Sequence, residues 1–142
     1  MAATYPTKKC ASAINFGTLS GFTGTKNVTA VAFYNSATSG TFYGGGPVGT
    51  SIPINSGDGL NFAVNAVTII FKGATGSLIG DQDGLDFLDN RYGSGSPATL
   101  YAALIITLPD GDDGSIVEFS GGTYARVAIT NNATNFPAAT MV

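Results

Sequence analysis

The chain has 142 residues, of which 44% are hydrophobic and only 11% charged, with a net charge of −3. One domain of this length can close its own core, while a surface with less than half the usual share of charge, about 25%, suits permanent cover by a partner. Six scattered basic residues exclude a phosphate-binding face, and the absence of histidine beside a single cysteine excludes Ser-His-Asp and Cys-His reaction centres, the usual zinc sites and a disulfide framework.

In chain order, Met1–Ala13 is polar and small, with one Lys8-Lys9 pair, and reads as a solvated N-terminal arm. No charged start leads into an apolar run, so synthesis in a reducing cytoplasm without a signal peptide is expected. The single β domain is expected over 14–130. Val28–Tyr34 (VTAVAFY) is β-branched and aromatic, Asn35–Gly40 is a turn cluster, and Thr41–Tyr43 returns as the partner strand. Gly44-Gly45-Gly46-Pro47 reads as a break. It has neither the lysine nor the following helix that a phosphate loop needs. Ser51–Ile54 and Leu60–Val64 are short strands around an Asn55–Gly59 turn. Val67–Phe71 is apolar at nearly every position, as in a strand buried on both faces.

Gly73–Gly80 is a loop. Leu85, Leu88 and Tyr92 share one face of a short helix at about 84–92, with Asp83 as its N-cap and Gly93 as its stop. Thr99–Leu108 is the longest strand, Pro109–Gly114 an acidic turn, and Ser115–Phe119 and Thr123–Thr130 are strands around Gly121-Gly122. Asn131–Val142 reads as a C-terminal arm anchored at Phe136-Pro137. No apolar run is long enough for a bilayer helix, so no membrane partner is expected. The fold class is mainly β: a compact antiparallel sandwich or partly closed barrel with one short helix.

Little in this chain resembles reaction chemistry, and no enzyme, cofactor or catalytic residue is expected. Asp81, Asp83 and Asp86 stand where a helix N-terminus favours negative charge. The same spacing beside a glycine fits oxygen ligands of a cation, though the calcium-loop pattern is incomplete. Cys10 has no activating neighbour and reads as a packed thiol. Tyr34, Phe42 and Tyr43 sit at one hairpin, as core or as an exposed contact patch. Arg126 lies in an otherwise apolar or small stretch, and Glu118 across the glycine turn is its expected partner, a pair that would fix register more than add stability.

The stretches Glu118–Thr130 (EFSGGTYARVAIT) and Asn135–Thr140 (NFPAAT) resemble a family of small tailed-phage virion proteins, of decoration or tail-fibre-like type. That family's pattern runs through an early helix, a strand with an L-Y core, an acidic Gly/Asp turn, S-G-G-x-Y-A-R and F-P-A-A-T. These look like Gly84–Tyr92, Thr99–Leu108, Asp110–Gly114, Ser120–Arg126 and Phe136–Thr140. Its later half looks like Val28–Tyr43, Ser56–Phe62 and Val67–Phe71, which here come first, so the chain resembles a circular permutant of the pattern. The resemblance implies a virion protein at the capsid surface that cements the major capsid protein lattice. A homotrimer is expected, with Lys8, Lys9, Tyr34, Tyr43, Glu118, Tyr124, Arg126 and Phe136 in structural or contact roles. A tail or fibre position, or a carbohydrate-binding sandwich, are the alternatives.

Overall fold

The computed structural model describes residues 5–70, 81–107 and 116–142. Among these are β1 (Pro6–Lys9), β2 (Ile14–Leu19), β3 (Lys26–Tyr34), β4 (Phe42–Ile54), β5 (Asp58–Phe62), β6 (Thr68–Ile70), α1 (Asp81–Arg91), β7 (Thr99–Thr107), β8 (Val117–Glu118), β9 (Val127–Thr130) and β10 (Thr140–Met141). Among the described residues the protein is mainly β and antiparallel, with one helix and a sandwich-like arrangement, and no barrel closes. The loop and turn expected at Gly73–Gly80 and Pro109–Gly114 lie outside the described residues.

The central sheet is built on β3, which pairs with β4 on one side and β7 on the other, while β8 and β9 both pair with β7. Alternation along β3 and β7 separates two faces. Val31, Phe33, Leu100 and Ala102 pack with Leu88, Tyr92, Ile69 and Phe136 in the main core. Ala30, Ala32, Ala103 and Ile105 form a smaller cluster with Tyr34 and Ile116 packed against it. The glycine run does not end the strand: Gly44–Gly46 belongs to β4. A Cβ on Gly45 would stand 2.2 Å from the Val31 carbonyl oxygen, so these glycines serve close strand approach rather than a turn.

Both terminal segments read as arms prove to be part of the sandwich. β1 is the middle strand of a sheet ordered β10-β1-β6, and Tyr5 and Val142 exchange both backbone hydrogen bonds, at 2.8 and 2.9 Å. Their polar sequence is misleading because a few buried side chains do the anchoring, among them Lys8 and Cys10 at one end and Asn131 and Phe136 at the other. Lys8 is only 2% exposed, its ammonium 2.7 Å from Asp89 on α1. Phe136 is fully buried between Phe33 and Tyr92. Lys8 is therefore no solvated end, whereas its neighbour Lys9 is exposed.

Three further expectations shift. The helix begins at Asp81, so Asp83 lies within its first turn rather than capping it; Gly93 (φ 99°) does end it. In β6, Ile69 is buried but Ile70 is 46% exposed, because the strand is the edge of its sheet rather than a centre. The expected strand over Thr123–Thr130 shortens to Val127–Thr130, which leaves Arg126 just outside it.

Candidate functional site: a clamped excursion and its cleft

β8 and β9 are not a hairpin. Both run antiparallel to β7, with Thr107 opposite Val117, Ile105 opposite Glu118, and Ala102 opposite Val127. They are two halves of one edge strand: Phe119 N–H still donates to the Leu104 carbonyl, and Ser120–Arg126 leaves the ladder between them and returns. Glu118 and Arg126 therefore meet across the base of an excursion rather than across a turn of paired strands.

The pair closes that base in a bidentate manner. Arg126 Nε donates to Glu118 Oε2 at 2.9 Å and Nη2 donates to Oε1 at 2.7 Å. Nη1 donates to the carbonyls of Ser36 and Ser39, at 2.9 and 2.7 Å, tying the tip of the β3–β4 hairpin to the same point. The guanidinium lies 3.9 Å over the Tyr34 ring. With the Arg126 side chain 7% exposed and Glu118 25%, the pair is mostly removed from water, where planar two-point contact is strongest. Burial alone raises the Glu118 carboxyl, but hydrogen bonds from Arg126 and Tyr124 and the guanidinium charge outweigh it and hold the group below its ordinary range.

Tyr124 fills the gap that the excursion leaves. Its hydroxyl accepts from the Leu104 backbone N–H at 3.0 Å and donates to Glu118 Oε2 at 2.6 Å. The phenol thus takes the place of the strand carbonyl that Leu104 lacks, and buried backbone donors require such a partner. Burial first, and the carboxylate second, raise its pKa well above the ordinary tyrosine value. The far side is pinned as well. Thr123 N–H donates to the Ser20 carbonyl, and its hydroxyl accepts from Ser20 N–H and donates to the Thr18 carbonyl. Lys26 reaches the Ser120 carbonyl and lies over the Phe22 and Phe119 rings. Gly122 (φ 59°) is obligatory here, since a Cβ would fall 1.6 Å from the Ser20 oxygen.

The whole S-G-G-x-Y-A-R stretch is thereby a tertiary staple. No known protein family, curated protein or solved structure matches the chain.

The remaining expected residues divide between this staple and the opposite end. Glu118, Tyr124, Arg126 and Tyr34 come together; Phe42 packs edge-on against Tyr34 and is 44% exposed. Tyr43 lies under Arg91 on the helix side, 4.4 Å from its guanidinium. Lys8 and Phe136 belong to the core near α1, and Lys9 joins neither group. Asp83 and Asp86 are exposed, Asp86 accepting from Gln82 at 2.8 Å. Among the described residues no group of three or more acidic, cysteine or histidine side chains gathers to hold a metal, and the side chain of Asp81 lies outside what the structure describes. Cys10 is buried, which raises its thiol pKa.

Sequence reasoning missed three residues. Asn131, 1% exposed, accepts from Gly93 N–H and donates to the carbonyls of Arg91 and Pro97, closing the helix end. Lys26 and Asp89 act as braces whose partners are 94 and 81 residues away. No local pattern announces contacts so distant.

Proposed function

We propose that the chain is a tailed-phage virion protein that decorates the head, binding the outer surface of the major capsid protein lattice and stabilising it. The observation that carries this reading is the use made of charge. Lys8 and Arg126 are bound inside the molecule, to Asp89 and Glu118, and the half-exposed Lys26 is tied to the Ser120 carbonyl. Among the described residues, what faces outward is mostly small or polar, with the scattered charges Lys9, Asp58, Asp83 and Asp86 and single exposed apolar side chains such as Phe42, Phe87 and Val117. A rigid module with such a surface suits permanent contact on a lattice. The resemblance of Ser120–Arg126 and Phe136–Thr140 to phage virion proteins points the same way.

In this reading the protein acts mechanically. It bridges neighbouring capsid subunits, as a trimer over three-fold positions, and many weak contacts gain from the lattice's high effective concentration. Since both terminal segments pair within the sandwich, the bridging falls to hairpin tips and exposed apolar side chains rather than to arms. The test is the copy number relative to the major capsid protein in purified particles separated into heads and tails. Abundance comparable to the capsid subunit, confined to heads, is expected. A few copies on tails would move the protein to a fibre or connector, and absence from particles would end the virion reading.

A further inference from the structure

An open cleft of about 350 Å³ lies between the hairpin tip at Ala37–Ser39 and the Ser120–Arg126 side of the excursion. The packing leaves it open, and the lattice reading assigns it no ligand. Its size is near the lower end of small-molecule sites, about 300–1,000 Å³.

The chemistry of the lining is selective. Arg126 offers little to an anion: four of its five N–H donors are taken, two by Glu118 and two by the Ser36 and Ser39 carbonyls, and the Glu118 carboxylate balances its charge. Glu118 differs. A carboxylate has about four acceptor positions, this one receives three hydrogen bonds, and its side chain is 25% exposed. One acceptor position therefore remains for the cleft. Thr38, Ser39 and Ser120 are exposed at the rim, and Ala125 and Tyr124 supply apolar wall. Ser39 is held left-handed, at φ 53°, a conformation that persists where surroundings impose it. Here the bond from its carbonyl to Arg126 does so.

A fitting ligand donates hydrogen bonds to a carboxylate, exchanges them with hydroxyls, bears no negative charge and has an apolar face. We infer that this cleft binds a neutral saccharide, with Glu118 accepting from the sugar hydroxyls and Thr38, Ser39 and Ser120 bonding at the rim. The inference stands apart from the virion role. On any particle carrying many copies, weak single-site affinity would be multiplied.

The test is a titration of the isotope-labelled full chain, followed by backbone amide NMR. The probes are methyl glycosides of glucose, galactose, mannose and N-acetylglucosamine, with a methyl sialoside and lysine methyl ester as charged comparators. Saturable shifts of Thr38, Ser39, Ser120 and Gly121 with at least one neutral glycoside are expected. Ala125→Trp and Thr38→Tyr, both at exposed positions outside the clamp, should each weaken binding by about tenfold or more, ~1.4 kcal/mol, with the remaining spectrum unchanged. Either variant suffices if the other fails to fold. The inference is overturned if no neutral glycoside gives saturable shifts, if the shifts map elsewhere, if a charged comparator binds more tightly, or if a folded variant binds as the parent does. Particle copy number is unaffected by any of these results, so the two readings fail separately.

Discussion

Replacing Arg126 by methionine tests the clamp most directly. The substitution keeps much of the stem's apolar volume but strands Glu118 with only the Tyr124 hydroxyl, and it frees the Ser36 and Ser39 carbonyls. Removing one partner of a buried pair costs about 3–5 kcal/mol, and partial access of water to Glu118 reduces this to about 2–4 kcal/mol. That is a large part of a typical total of about 5–15 kcal/mol. At a slope of about 2 kcal/mol per molar urea, the middle of the usual range, the unfolding midpoint should fall by about 1–2 M with the slope unchanged. The double variant Arg126→Met, Glu118→Leu should recover most of the loss, since an apolar replacement of a whole buried pair is often neutral. Acid should expose the same contact. The folded pKa of Glu118 lies below its ordinary value of 4.5. Its contribution is therefore complete above that pH and is lost as pH falls through the folded value. Glu118→Gln should flatten that part of the stability profile. A single variant within about 0.5 kcal/mol of the parent, the range of an ordinary surface change, or a double variant no better than the single, would refute a clamp.

Other perturbations separate the remaining contacts. Tyr124→Phe leaves the Leu104 N–H without its partner and should cost about 1–3 kcal/mol in urea unfolding. Tyr92→Phe should be neutral or slightly stabilising, because the Tyr92 hydroxyl is buried without a hydrogen-bond partner among the described residues; a loss above about 1 kcal/mol would mean that it has one. Gly122→Ala should destabilise by about 3 kcal/mol or more, combining backbone strain with a clash against Ser20, whereas Gly57→Ala, with open space around it, should cost only about 1–2 kcal/mol.

What was legible in the sequence was what repeats locally. The VTAVAFY and LYAALII runs carry the strand period, NSATSG marks the hairpin, and Leu88, Tyr92 and Gly93 mark the end of the helix. The Glu118–Arg126 pair was legible too, because eight residues and two glycines bring the charges back together. Its setting was not: whether a Gly-Gly step turns a hairpin or opens an excursion depends on which strand lies alongside, and β7 is chosen by long-range pairing. The terminal segments were misread for a related reason. Composition describes the average residue, while Lys8 and Phe136 fix their segments through Asp89, Phe33 and Tyr92, all distant in the chain.

The pairing of the two ends makes one prediction about chain order. Tyr5 and Val142 form a mutually hydrogen-bonded pair of antiparallel strands, a geometry that places Cα atoms about 5.5 Å apart. Joining Val142 directly to Met1 would leave residues 1–4 as a four-residue hairpin loop, a common length. Opening the chain between Ile70 and Asp81 then yields a permutant that starts at α1 and ends at β6. Its motifs run helix, Thr99–Leu108, Ser120–Arg126, Phe136–Thr140, then Val28–Tyr43, which is the order of the phage virion pattern on which the proposed function draws. One connection is opened and another closed. Closure entropy changes by only about 0.6 kcal/mol per doubling of loop length, so the permutant should unfold cooperatively at a urea midpoint close to that of the parent. Such a result would make the rearranged motif order energetically accessible to a shared fold. An insoluble permutant, or one without a cooperative transition, would mean that the segment between β6 and α1 does more than connect them, and would weaken the resemblance as a guide to function.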